Sequence, residues 1–119
     1  MSIPNNELAL LYDICISCKH ILSFIKDYKF IDYERDIEKQ SSVERQIEII
    51  GQISTKLSKE TRDILNHIPW KSIIGARNII AHDYGEILVE RVWFLASESV
   101  PTLYNELLKI DELKDYIND

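Results

Sequence analysis

The chain has 119 residues, 45% of them hydrophobic, so it can form one domain with its own core and needs neither disulfides nor a structural metal. Its net charge of −6 argues against the broad basic face with which proteins wrap nucleic acid, and any RNA contact is expected to be confined to a small cleft. Three glycines and three prolines leave little material for turns, and we therefore predict an all-α fold, an up-and-down bundle of four to five helices.

The first predicted helix runs from about Asn6 to Lys26, with Asn5 or Asn6 as its N-cap. Cys15 and Cys18 form a C-x-x-C pair in it. The sequence shows neither the preceding strand of a redox pair nor two further zinc ligands, so both cysteines are predicted to be buried small apolar residues. The apolar residues of this first helix recur every three or four positions, which is the spacing of one helical face: Leu8, Leu11, Cys15, Cys18, Leu22 and Ile25.

The second long helix is predicted over about 41–57. Residues 27–42, which lead up to it, are predicted to be a loop and a short helix, and Ser41 or Ser42 would cap the long helix. Gly51 lies inside this helix, where glycine costs about 1 kcal/mol relative to alanine. We expect Gly51 to let another helix approach closely.

A short helix is predicted over about 59–67, because Ser58-Lys59-Glu60-Thr61 is typical of a helix N-terminus. Pro69 marks a break, and the next helix is predicted over 70–82. Gly85 is well placed to end that helix.

The last apolar pattern extends over 87–110 and contains Pro101, where either a kink or a junction between two helices is expected. Residues 116–119 are expected to be frayed. The sequence begins without the basic and apolar segments of a signal peptide, and no stretch approaches the roughly 20 apolar residues that span a bilayer. We therefore expect a cytoplasmic protein without membrane contact.

The most informative segment is an R-x4-H-x-Y pattern formed by Arg77, His82 and Tyr84, with Asn78 directly after the arginine. A guanidinium stabilises the charge of a phosphate in transfer, and an imidazole moves protons near neutral pH. Together they are a minimal set for binding or cleaving a phosphodiester without a metal. The alternative is that the arginine and the histidine are solvated or capping residues, and that Tyr84 is a half-buried aromatic at a helix end.

This pattern resembles the signature of the HEPN superfamily, specifically its HepT-like branch. Residues 43–51 resemble the helix that precedes the signature in that family, 68–70 resemble its lead-in, and 92–93 fit the helix that follows, as does Pro101. The resemblance covers about residues 7–110. The chain departs from the family pattern at two positions, where Gln46 replaces a usual Asn and Gln52 replaces a usual Glu.

The resemblance implies a metal-independent ribonuclease toxin, endo- or exonucleolytic, that uses no cofactor and cleaves RNA through its own 2′-hydroxyl. In that mechanism His82 is the general base or the general acid, and Arg77 stabilises charge on the phosphoryl oxygens. Asn78 would orient the phosphate or the histidine. The RNA target, with tRNA and mRNA both open, does not follow from the sequence.

The resemblance also implies a partner, because the tyrosine of the HepT-like signature receives AMP from an MNT-type nucleotidyltransferase, the antitoxin of the pair. Tyr84 occupies that position, and Asp83 beside it adds a local negative charge. Glu48 matches a family position and would pair with Arg45 or Arg77, either supporting the site or as ordinary helix-packing electrostatics.

On a single ideal helix Tyr84 would point within about 20° of Arg77. His82 lies about 140° around the axis, so one helix does not bring Arg77 and His82 together. Either the helix loosens near Gly85, or a second subunit completes the site across a two-fold axis. HEPN proteins commonly dimerise through the signature face, so the resemblance favours a homodimer with the site at the dimer cleft.

Two other functions remain open. The chain could be a non-catalytic nucleotide- or substrate-binding subunit that docks onto a nucleotidyltransferase. It could also be a dimeric helical adaptor whose signature serves only the interface. RNA cleavage by the purified chain separates the ribonuclease from both.

Overall fold

The computed structural model describes residues 2–118, and every regular element in that range is helical. Helix α3 lies at the centre, with α1 on one side and α5 on the other, while α7 and α8 pack on α1. The predicted all-α bundle is therefore confirmed. The helices are α1 (Asn5–Phe24), α2 (Phe30–Glu34), α3 (Ile37–Ser54), α4 (Lys59–Ile64), α5 (Trp70–His82), α6 (Gly85–Phe94), a π-helical turn (Leu95–Ser99), α7 (Val100–Leu108) and α8 (Asp111–Asn118).

The core is built around the apolar face of α1, as its spacing predicted. Leu11 and Ile14 are completely buried there, together with Val43 of α3 and Leu107 of α7. Both cysteines are free thiols in this core, which confirms their predicted role. Burial raises the pKa of Cys15 to about 11 and that of Cys18 to about 12, so neither is a thiolate nucleophile at neutral pH.

Helix α3 begins four residues earlier than predicted, at Ile37, because the cap is Asp36 rather than Ser41 or Ser42. Asp36 Oδ1 accepts a hydrogen bond from the backbone N–H of Lys39 at 3.0 Å. Ser42 lies inside the helix and donates its hydroxyl to the carbonyl of Glu38. A serine inside a helix can donate its hydroxyl to the carbonyl four residues earlier, as Ser42 does, and it then does not act as a cap. The N-cap is instead the aspartate that precedes the first helical residue.

Helix α4 starts where predicted, and Ser58 is its N-cap. Ser58 also donates its backbone N–H and its hydroxyl to the carboxylate of Glu7, at 2.6 Å and 2.9 Å. Burial alone would raise the pKa of Glu7, but the hydrogen bonds from Ser58 and Thr61 outweigh it and the pKa lies below its usual value. Glu7 thus joins the start of α1 to the start of α4 as a buried, ionised group.

Helix α5 spans Trp70–His82 as predicted, but Gly85 does not end it. The helix ends at His82, and the C-cap residue that follows, Asp83, has an extended backbone (φ −87°, ψ 155°). Gly85 is instead the first residue of α6 and has φ +65°, in the left-handed region that glycine tolerates. The two helices are therefore separated by a turn of only two residues.

Pro101 lies at a junction, one of the two predicted outcomes. The π-helical turn precedes it, with the N–H of Val100 bonded to the carbonyl of Leu95, and α7 begins at Val100. Leu95, Ser99 and Val100 all have right-handed helical backbone angles, so α7 follows the π-helical turn without a break, and that wider turn accommodates the missing N–H of the proline. Residues 116–118, predicted to be frayed, belong to α8, and Asp119 lies outside the described residues. Over residues 2–118, no helix has both the length and the apolarity needed to cross a membrane.

Candidate active site

Arg77 lies on α5 where that helix packs against α3, and its aliphatic stem covers Gly51. A methyl group at Gly51 would be 2.5 Å from Cγ and 2.7 Å from Cδ of Arg77. Gly51 is buried, whereas the Arg77 residue as a whole is exposed. The arginine therefore lies with its stem against α3 and remains accessible to a ligand. Gly51 was expected to let another helix approach closely, but the closest group is the Arg77 side chain, while the nearest α5 backbone atom, the carbonyl oxygen of Ile73, would lie 3.4 Å from a Cβ at position 51.

His82 is the last residue of α5 and is exposed. Within the described chain it takes part in no ion pair. An exposed histidine at the end of a helix can exchange protons with solvent or substrate without disturbing the core.

Tyr84 lies outside both helices, in the turn between α5 and α6, with an extended backbone (φ −154°, ψ 172°). The predicted and observed end of α5 at His82 places Tyr84 beyond the helix, so the ideal-helix angle of about 20° to Arg77 does not apply to it. The alternative of a half-buried aromatic is also wrong, since Tyr84 is 83% exposed. An accessible phenol at a turn has no packing role and is open to a modifying enzyme.

Asp83 forms an ion pair that the sequence analysis did not foresee. Arg91 Nη1 donates to Asp83 Oδ2 at 3.0 Å, across the turn from α6. The charge that Asp83 was expected to place beside the tyrosine is therefore balanced, and phosphate meets less repulsion there than predicted. Asp83 and Arg91 are eight residues apart, which is not the spacing of residues that touch on one helix. The pair forms because α5 ends before Asp83 and the chain turns into α6.

The other predicted site residues lie nearby without joining Arg77 or His82 in a network. Asn78 is exposed on α5. Glu48 is half-buried on α3, one turn before Gly51, and in the described part of the chain it pairs with neither Arg45 nor Arg77. Burial raises the pKa of Glu44, one turn earlier still, and the neighbouring Glu48 raises it further.

Helix α5, which carries Arg77 and His82, and the following helix α6 bury few of their residues. Only Trp70 and Ala76 of α5 are buried, and only Val92 of α6. On α6, Ile87 is 59% exposed and Phe94 is 61% exposed. These two residues are seven positions apart and so share one helical face, which we call the α6 ridge.

A cavity of about 410 Å³ lies on another side of α5, against the π-helical turn and α7. It is mainly apolar and does not include Arg77, His82 or Tyr84. The ion pair between His67 and Glu106, 3.4 Å apart, lies at its edge. Other lining residues are Ile50, Ile73, Ala76, Leu95 and Leu103.

Comparison with known families identifies the chain. The family model described as "Ribonuclease HepT-like" matches residues 14–110. The chain belongs to the ribonuclease HepT-like family. The HepT-like match includes α5 and the turn that carries Tyr84, so the signature lies inside the family region.

Individual relatives agree with this HepT-like assignment. The chain is 32% identical over 99 residues to "Putative RNase MJ1380" of Methanocaldococcus jannaschii, covering 83% of this chain and 91% of the relative. It is 34% identical over 111 residues to "Putative RNase MJ0125" of the same organism, covering 90% and 93%. It is 28% identical over 100 residues to "Probable ribonuclease HepT" of Thermococcus cleftensis, covering 84% and 91%. No solved structure matches the chain significantly.

Proposed function

We propose that this HepT-like chain is a metal-independent ribonuclease and the toxin of a toxin–antitoxin pair. The observation that carries the proposal is the arrangement on α5, where Arg77 lies against α3 and His82 is exposed at the helix end. Relatives that are named "Putative RNase" or "Probable ribonuclease HepT" support the ribonuclease part of this proposal. Both side chains face solvent in a region that contributes little to the core.

In the proposed reaction, the 2′-hydroxyl oxygen of the RNA attacks the adjacent phosphorus. His82 accepts the hydroxyl proton as general base, and Arg77 stabilises the negative charge on the phosphoryl oxygens. The bond from phosphorus to the 5′-oxygen breaks, and that oxygen takes a proton from an imidazolium. The products are a 2′,3′-cyclic phosphate and a 5′-hydroxyl. The step requires no water, metal or cofactor.

Purified protein is expected to cleave RNA at an unchanged rate in EDTA and to leave DNA of the same sequence intact, because DNA lacks the attacking hydroxyl. The measurement is gel analysis of end-labelled RNA, its 2′-deoxy counterpart and an RNA with one 2′-O-methyl group at the mapped cut site. Blocking that single hydroxyl is expected to protect only the adjacent bond. Loss of activity in EDTA that Mg²⁺ or Mn²⁺ restores would exclude the proposed mechanism.

A homodimer is part of the proposal. Arg77 and His82 lie about 140° apart around an ideal α5 and do not converge on one phosphate within one chain. The poor cover of α5 and α6 and the exposed α6 ridge favour a second copy at this surface. A two-fold axis there would place the Arg77 of one subunit beside the His82 of the other.

The proposed antitoxin is an MNT-type nucleotidyltransferase that attaches AMP to Tyr84. The support is the 83% exposure of Tyr84 and its place in the turn directly after His82. A bulky anionic adenylate there would oppose the approach of an RNA phosphate. Incubation with the nucleotidyltransferase and ATP is expected to add the mass of one AMP to wild type and to Tyr116→Phe, but none to Tyr84→Phe, as measured on the intact protein by mass spectrometry. Modification of Tyr84→Phe would place the target elsewhere.

One observation favours the alternative of a nucleotide- or substrate-binding subunit, namely the cavity of about 410 Å³ away from the signature. Its size is within the range of small-molecule sites. Soluble, folded protein that cleaves no RNA yet binds the nucleotidyltransferase would support this alternative over the ribonuclease.

A further inference from the structure

The closest contact around Gly51 is with the middle of the Arg77 side chain. A Cβ atom at position 51 would lie 2.5 Å from Cγ and 2.7 Å from Cδ of the arginine. The nearest backbone atom of α5, the carbonyl oxygen of Ile73, would be 3.4 Å away. Carbon atoms pack best at about 3.5–4.0 Å, so the two arginine contacts are impossible without movement. The helices themselves would tolerate a methyl group far better than the arginine would.

We propose that Gly51 is a positioning residue that holds Arg77 in the geometry needed to bind the phosphoryl group. Cγ and Cδ lie between the backbone and the guanidinium, so a surface that fixes them also limits where the guanidinium can go. Because α3 packs against both α1 and α5, Gly51 provides a rigid support for an otherwise exposed side chain. This inference rests on the proposed ribonuclease function for its catalytic consequence, but not for its geometry.

The position of the Arg77 side chain and the stability of the fold can change independently. An added methyl group at position 51 can be accommodated if Arg77 swings into solvent, because that residue is exposed. The helices would then remain packed while the guanidinium left its place. Misplacement of a reacting group by about 1 Å costs on the order of 10²-fold in rate.

The test is a cycle of four proteins: wild type, Gly51→Ala, Arg77→Ala and the double variant. Their Tm values are measured together with kcat and KM for RNA cleavage. Gly51→Ala is expected to lower kcat about 10²-fold with little change in KM. Any fall in Tm that it causes in wild type should disappear or reverse in the Arg77→Ala background, where alanine is simply the better helix former.

Gly75→Ala is the matched control, because a methyl group there meets nothing within 4 Å although Gly75 lies on α5 itself. It is expected to keep wild-type activity, with a Tm equal to or above that of wild type because alanine is the better helix former. An equal Tm penalty for Gly51→Ala with and without Arg77 would overturn the proposal, since the glycine would then serve the backbone approach of the helices. Full activity in Gly51→Ala would overturn it as well.

The cycle also distinguishes this inference from the proposed function. If wild type cleaves no RNA, the ribonuclease proposal fails, but the coupling of the two substitutions in Tm still measures whether Gly51 supports Arg77. If Gly51→Ala does not fold, the double variant decides: recovery of folding supports the contact with Arg77, and failure of both proteins overturns it.

Discussion

Alanine in place of His82 is expected to lower RNA cleavage by about 10²–10⁴-fold, because the variant loses the group that moves protons in the transition state. Arg77→Ala is expected to lower it by about 10²–10³-fold through loss of charge stabilisation on the phosphoryl oxygens. Both residues are exposed, so both variants should fold with a near-wild-type Tm. In bacteria with inducible expression, wild type should stop growth and degrade total RNA, while both variants should grow with intact RNA.

The controls are chosen for residue type and exposure. His20→Ala replaces an exposed histidine on α1, and Arg35→Ala replaces an exposed arginine at the end of α2. Both should remain as toxic as wild type. If Arg77→Ala and His82→Ala cleave RNA like wild type, the activity lies elsewhere on the chain. If wild type itself is soluble and harmless, the binding-subunit alternative replaces the ribonuclease.

The sequence was most informative where a local residue determines the structure. Pro69 predicted the start of α5 at Trp70, and Ser58 predicted the start of α4. It was less informative where several residues compete for one role, as at the start of α3, where Asp36 rather than Ser41 or Ser42 is the cap. Serine can bond the backbone in more than one way, and only the folded chain shows which bond forms.

Long-range relations in the site were not predictable in the same way. The end of α5 at His82 was predicted, but the turn of only two residues that carries Tyr84 and joins α5 to α6 was not. The pairing of Asp83 with Arg91 depends on that same turn. That Gly51 would be close to something was predictable from its place in a helix. The identity of the group, Arg77, depends on how α5 crosses α3 and appears only in the fold.

The shared site makes a second large prediction. If one phosphate is served by Arg77 of one subunit and His82 of the other, two inactive proteins should restore each other. Mixing Arg77→Ala with His82→Ala and allowing subunits to exchange makes half of the dimers mixed, and each mixed dimer holds one intact site. RNA cleavage should rise from near zero to about a quarter of the wild-type rate at equal total protein. Two residues acting within one chain would give no recovery, because every chain lacks one of them.

In a second mixture, a shared site is expected to give the lower rate and a site within one chain the higher rate, the reverse of the first mixture. When wild type is mixed with the double variant Arg77→Ala/His82→Ala, a shared site leaves only the wild-type dimers active, about a quarter of the full rate, whereas a site within one chain leaves about half. Native mass spectrometry with subunits of different mass shows directly whether mixed dimers have formed. Recovery in the first mixture together with the lower value in the second requires a site built across the two-fold axis. A monomer at the assay concentration would rule out that site, and catalysis would then depend on a movement of the turn after His82 within one chain.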